Sequence, residues 1–113
     1  MTFQQDIERF QKKYFFAKND DRIKFLMTLC FYISMFARGT YPEIRQNKPD
    51  CANDLISFNE LTHRVSKQSL AILLEDSDMG YPHDTFLTDL AQTDSDLVKA
   101  DFIQAISKAS RYL

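Results

Sequence analysis

Glycine occurs twice and proline three times in this 113-residue chain, and tryptophan is absent. A sandwich of short strands needs many more turn residues than that, so the composition argues against a turn-rich β fold. Cysteine is scarce too. Cys30 lies in an apolar run and reads as a small buried hydrophobe, while Cys51 sits in a polar segment. Neither belongs to a Cys-x-x-Cys or Cys/His spacing suited to zinc, so no metal or other cofactor is expected. Glycine-rich phosphate loops and serine nucleophile elbows are missing. The opening TFQQDIERFQKKY is charged and amphipathic, unlike a secretory signal, and a reducing cytoplasm is the expected setting.

Long apolar runs are also lacking. The longest, FLMTLCFYISMFA at 25–37, would span about 20 Å as a helix, short of the roughly 30 Å hydrocarbon core, so no membrane partner is expected. What the chain does have is core material: a hydrophobic fraction of 44% that includes ten Phe and five Tyr. One domain covering residues 1–113 can bury a real core at this length.

Formal charge is −2, unevenly spread. Residues 1–49 hold nine Lys/Arg against five Asp/Glu, and residues 50–113 hold five against eleven. The halves could attract within a monomer or across a symmetric dimer; solvated faces that happen to differ are the plainer reading. Neither half is basic enough for a nucleic-acid footprint.

Helical periodicity runs almost throughout, predicting an all-α single-domain bundle of about five helices. Phe3, Ile7, Phe10 and Tyr14 fall on one face of a helix over 2–17, with Thr2 as cap. Asn19 or Asp20 caps a second helix that contains the apolar run 25–37. A helix apolar all round is a central core helix or is completed by a second subunit, and both readings stand: monomer core, or homodimer through 25–37. A long connection is expected over 38–51, interrupted by Gly39, Pro42 and Pro49. A third helix, roughly 52–74, turns Leu55, Phe58, Leu61 or Thr62, Val65, Ser69 and Ile72 inward. A fourth, 82–92, carries Phe86, Leu87 and Leu90. Thr93 to Ser95 cap a fifth helix with Leu97, Val98, Phe102, Ala105, Ile106 and Ala109 inward.

Both glycines open a turn ending in Tyr-Pro: GTYP at 39–42 and GYP at 80–82. Gly after a helix supplies a left-handed close, and proline ends that helix or starts the next. Tyr41 and Tyr81 are therefore expected as packed loop anchors, with His83 beside the second; tyrosines lining a ligand groove are the alternative.

The polar residues gather around 38–64. Asn59 and His63 share a helix face one turn apart, and Glu60 and Arg64 form the neighbouring i,i+4 pair in the favourable order. Arg38 and Glu43 could reach the same face. A His beside a Glu could act as general acid and base, with Arg holding an anion. The favoured reading is structural: the 38–45 segment folds back on the third helix, Arg38 meets Glu60 with Glu43 as local rival, and Asn59 or His63 bonds its backbone. A partner-binding surface comes next, catalysis last. No catalytic residue is assigned.

Other chemistry fails on spacing. Asp76, Asp78 and Gly80 suggest a calcium loop, but the glycine falls one place early and the twelfth position is Leu87 rather than Glu. Neither His63 nor His83 follows an Arg by four to six residues, as one class of helical nuclease would require. A helix-turn-helix would want a basic second helix, whereas the last two helices are acidic.

The elements ARGTYP (37–42), FNELTHR (58–64) and YPHDTFL (81–87) resemble those of a family of short bacterial proteins of unknown function. That family carries an ARG-x-Y-P element, an N-E-x-x-H-R-like helix and a Y-P-x-x-x-F-L element. The resemblance leaves out residues 1–20. It implies a bacterial, cytoplasmic, compact helical domain and no catalytic residues.

Two functional classes follow. The first is a non-enzymatic interaction or regulatory protein, a helical adaptor, regulator or inhibitor whose partner is another protein or a second copy of itself. The second is a small ligand-binding domain or enzyme with a pocket around the 38–43 loop and His63.

Overall fold

The backbone of the computed structural model is described for residues 2–47, 52–92 and 96–113, and its side chains for these residues except 36–47, 52–59 and 97. Among them are five α-helices and no strand: α1 (Phe3–Phe16), α2 (Asn19–Asn47), α3 (Ala52–Leu73), α4 (Phe86–Leu90) and α5 (Asp96–Ala109). A 3-10 turn, Ser110–Tyr112, follows α5. The expected all-α bundle is the fold.

α1 begins as its sequence requires. Thr2 Oγ1 accepts from the Gln5 amide at 3.2 Å, and the Gln5 side chain accepts from the Thr2 amide at 3.1 Å, which closes a capping box. At the other end the Arg22 guanidinium donates to the carbonyls of Tyr14, at 2.9 Å, and of Phe15. A cation there satisfies orphan acceptors and complements the helix dipole. Asn19 is the first residue of α2 rather than its cap; its Oδ1 accepts from Arg22 Nη1 at 2.9 Å.

α2 continues through Gly39 and Pro42 to Asn47, so the connection expected over 38–51 is helix for most of its length. Gly costs a helix about 1 kcal/mol and Pro about 3 relative to Ala. Among the described contacts α2 pairs most extensively with α3, and tertiary contact can outweigh local breakers in a helix. Gly39 therefore closes no helix. Cys51 and the Thr93–Ser95 cap lie outside the described residues, as do the side chains of Leu55, Phe58 and Leu97.

α2 is the central element, packing on α3 and α5, while α1 packs on α4 and α5. The core joins Ile7, Phe10 and Tyr14 of α1 to Phe25, Leu26, Leu29 and Ile33 of α2. Leu61, Val65 and Ile72 of α3, Phe86, Leu87 and Leu90 of α4, and Val98, Phe102, Ala105, Ile106 and Ala109 of α5 complete it. Tyr14 sits at its hub, with ring centroids 5.7 Å from Phe25 and 5.5 Å from Phe86.

The fourth helix is shorter than expected. Pro82 lies outside it, and its carbonyl accepts from the Thr85 amide at 3.3 Å in a turn. The left-handed close is also misplaced by the sequence. Just past the end of α3 Glu75 takes φ 53, and the amides of Glu75 and Asp76 return to the carbonyls of Ile72, at 3.2 Å, and Ala71, at 2.9 Å. This is a Schellman close with a glutamate in the glycine position. Gly80 does not have a positive φ.

Candidate functional site

Of the polar residues expected to form a site, Arg38, Tyr41, Glu43 and Asn59 have side chains outside the described residues, and so does the expected tether between Arg38 and Glu60. Glu60 and Arg64 form the i,i+4 pair, at 2.6 Å. Arg64 Nη1 also donates to the Asp89 carbonyl at 3.3 Å, and the guanidinium lies 5.9 Å from the Tyr81 ring centroid. It thus braces α3 against α4 and the loop between them. His63 points to solvent. Neither it nor the Glu60–Arg64 pair lines the cleft beside the second Tyr-Pro element.

Loop anchoring occurs at the second Tyr-Pro element. Gln68 is 1% exposed, on the same face of α3 as Leu61, Val65 and Ile72. Its Oε1 accepts from the Tyr81 amide at 2.5 Å and its Nε2 donates to the Tyr81 carbonyl at 3.1 Å. Those two bonds fix the orientation of the amide. Nε2 therefore faces His83 Nδ1, at 3.1 Å, and the Tyr14 hydroxyl oxygen, at 3.4 Å. A donor opposite Nδ1 requires that nitrogen to be unprotonated, which leaves the proton of neutral His83 on Nε2.

Gln11 does the same from α1. Its Nε2 donates to the His83 carbonyl and its Oε1 accepts from the Leu87 amide. Thr85 makes no side-chain cap for α4, so this glutamine satisfies one of the short helix's orphan donors from another element. Gly80 completes the arrangement by close approach: a Cβ there would come within 2.8 Å of both Ala71 Cβ and Gln68 Oε1. Glycine is needed for space, not for a left-handed turn.

Burial pushes the Tyr14 hydroxyl up to about 12, with the Gln68 hydrogen bond and Arg22 pulling the other way. Partial burial lowers the His83 pKa; Arg22 adds to that and Asp84 opposes it. The anchored loop roofs a cleft of ≈ 690 Å³ whose walls include Ile72, Glu75, Asp78, Tyr81, Pro82 and His83. The hydrogen bonds described around it give His83 neither a nucleophile nor a carboxylate. Among the described residues, no three His, Cys, Asp or Glu side chains are placed to hold a metal.

A second feature is apolar. Phe25, Leu26, Leu29 and Ile33 turn one side of α2 into the core, but Met27 and Phe31 on the other side are each 63% exposed and Met35 is exposed as well. Cys30 Sγ lies 3.8 Å from Ser66 Oγ, which puts this turn of α2 beside the C-terminal half of α3. There Leu70, Leu73 and Leu74 are also exposed. From Phe25 to Ala37 α2 carries no charged residue. Among its described residues the 25–37 run thus has one buried side and one exposed side. No described helix is long and apolar enough to cross a membrane.

A scan against protein-family models finds no match for this chain, and neither the curated proteins nor the solved structures searched contain one.

Proposed function

We propose that this protein is a non-enzymatic interaction protein that works as a symmetric homodimer, its contact formed by the outward side of α2 and the adjoining end of α3. One observation carries the reading: Met27, Phe31 and Met35 are exposed on successive turns of α2, and Leu70, Leu73 and Leu74 are exposed toward the end of α3. Large exposed apolar patches mark interaction sites, and Met and Phe without charge are what interface centres contain. Covering these six side chains would remove on the order of 600 Å² of apolar surface per copy, against about 800 Å² of total surface per partner in a standard interface. A polar rim supplies the difference.

The occupant that fits is a second copy. Two antiparallel helices present a stripe that pairs with itself about a two-fold axis, each Phe31 packing near its mate, and no like charges on α2 meet there. The bacterial cytoplasm is part of the proposal on the motif resemblance alone.

Light scattering on the purified chain over a range of concentrations is the test. The wild type should have the mass of a dimer and Phe31→Glu that of a folded monomer, with an unchanged helical circular dichroism spectrum. A wild type that is monomeric at about 100 μM, where a 1 μM contact would be nearly saturated, would sink the proposal.

A further inference from the structure

α1 presents a second anomaly, away from the apolar contact. Its buried positions are Ile7, Phe10, Gln11 and Tyr14. Its outward stripe reads Arg9, Lys12, Lys13 and Phe16, at spacings of three, one and three, so the four share one face over two turns. Phe16 is 73% exposed. With Ala17 and Leu113 these residues line an open, shallow groove of ≈ 430 Å³. In a chain of net charge −2, three of the side chains lining it are positively charged and none is acidic, while Leu113 is the last residue of the sequence.

Two of the three cations lie against an aromatic ring. Arg9 Cζ lies 4.8 Å and Lys13 Nζ 5.9 Å from the Phe10 ring centroid, so both rest on a buried aromatic face. The Arg9–Asp6 pair, at 3.6 Å, is the only ion pair among the described residues that touches the stripe. Lys12 and Lys13 are in no such pair.

We infer that this groove docks an acidic peptide segment that carries an apolar side chain. Three cations along a helix face match successive carboxylates of an extended segment. The apolar depression between Phe16, Ala17 and Leu113 takes one side chain, and covering Phe16 supplies the hydrophobic part of the binding. A bilayer meets protruding surface and does not fill a depression of this size, and three cations are too few for a nucleic-acid track.

The test uses the full chain and fluorescence anisotropy at low salt. The probe is a labelled peptide of alternating Asp and Glu with one central Leu; controls replace the Leu by Ser or the acids by Asn and Gln. Binding with a dissociation constant of about 100 μM or tighter is expected. It should weaken at least about tenfold in Lys12→Gln/Lys13→Gln and several-fold in Phe16→Ser, and should weaken with salt. All three residues are exposed, so the variants keep the fold, which thermal melting checks. The inference is overturned by absence of binding at about 1 mM peptide, by equal affinity for the Leu-to-Ser control, or by variants that bind as the wild type does. Co-sedimentation with phosphatidylglycerol vesicles in the absence of peptide binding would overturn it in favour of a membrane surface.

Discussion

Replacing Gln68 by leucine keeps the volume of the side chain and removes everything it does for the loop. The Tyr81 amide and carbonyl lose their partners, and His83 Nδ1 and the Tyr14 hydroxyl oxygen lose a donor. A buried polar group left unpaired costs about 1–3 kcal/mol. Tyr81 and His83 are half-buried, so water recovers part of this, and the net loss works out at roughly 2–4 kcal/mol. For a chain of this length that lowers the melting temperature by roughly 10–25 °C. Urea unfolding followed by circular dichroism gives the free energy, and hydrogen exchange at the Tyr81 amide locates it. Gln68→Glu separates the two ends of the amide: it keeps an acceptor for the Tyr81 N–H but sets an oxygen against the Tyr81 carbonyl. Its deficit should shrink in acid as His83 gains a proton and faces the new carboxylate. A cost for Gln68→Leu under about 0.5 kcal/mol, or unchanged exchange at Tyr81, would refute the anchoring role.

Two further outcomes follow from the same region. Glu75→Gly should raise stability by about 0.5–1 kcal/mol in urea unfolding, because Glu75 holds φ 53, is exposed and gains no packing from its side chain; a loss would mean that the carboxylate has a role in the loop. Stability should also fall at both ends of the pH range. The Tyr14 pKa is raised to about 12, so its contribution is full below pH 10 and is lost between about 10 and 12, at most about 2–3 kcal/mol. The His83 pKa is lowered, so its contribution is full above the ordinary histidine value and declines as pH falls below about 6.5, where the unfolded chain takes up the proton first. Unfolding midpoints measured across pH, with Tyr14→Phe and His83→Gln as controls, check both signs.

The helices were legible because their apolar spacing is regular. Ile7, Phe10 and Tyr14, and Val98, Phe102, Ala105, Ile106 and Ala109, all turned inward as their period required. Local breakers were the weaker guide. Gly39 and Pro42 lie within α2, and the left-handed close fell to Glu75, where the hydrogen bonds at the end of α3 decide the point rather than intrinsic preference. A side-chain tether is expected at the first Tyr-Pro element, on Asn59 or His63, where the side chains of 38–45 and of Asn59 lie outside the described residues; the tether that the described residues show is elsewhere. Gln11 and Gln68 supply it at the second. A sequence signal for both existed: each is a polar residue at a core position of an otherwise apolar stripe, Ile7–Phe10/Gln11–Tyr14 and Leu61–Val65–Gln68–Ile72. Such a residue must find partners, and nothing local says that they are loop backbone more than ten residues away. The groove on α1 was legible only in part, since Phe16 follows the buried face by two residues and its exposure depends on how α1 meets its neighbours.

The homodimer is the central proposal, and the most direct measurement is an isotope-filtered nuclear Overhauser experiment on an equal mixture of copies labelled with ¹³C at the methionine methyls and unlabelled copies. Cross-peaks are expected from the Met27 and Met35 methyls of labelled copies to Phe31 ring protons and Leu70, Leu73 or Leu74 methyls of unlabelled ones, and Phe31→Glu should abolish them. A mixture in which scattering reports dimers but no such cross-peak appears, or in which the peaks arise from other surfaces, would contradict the contact.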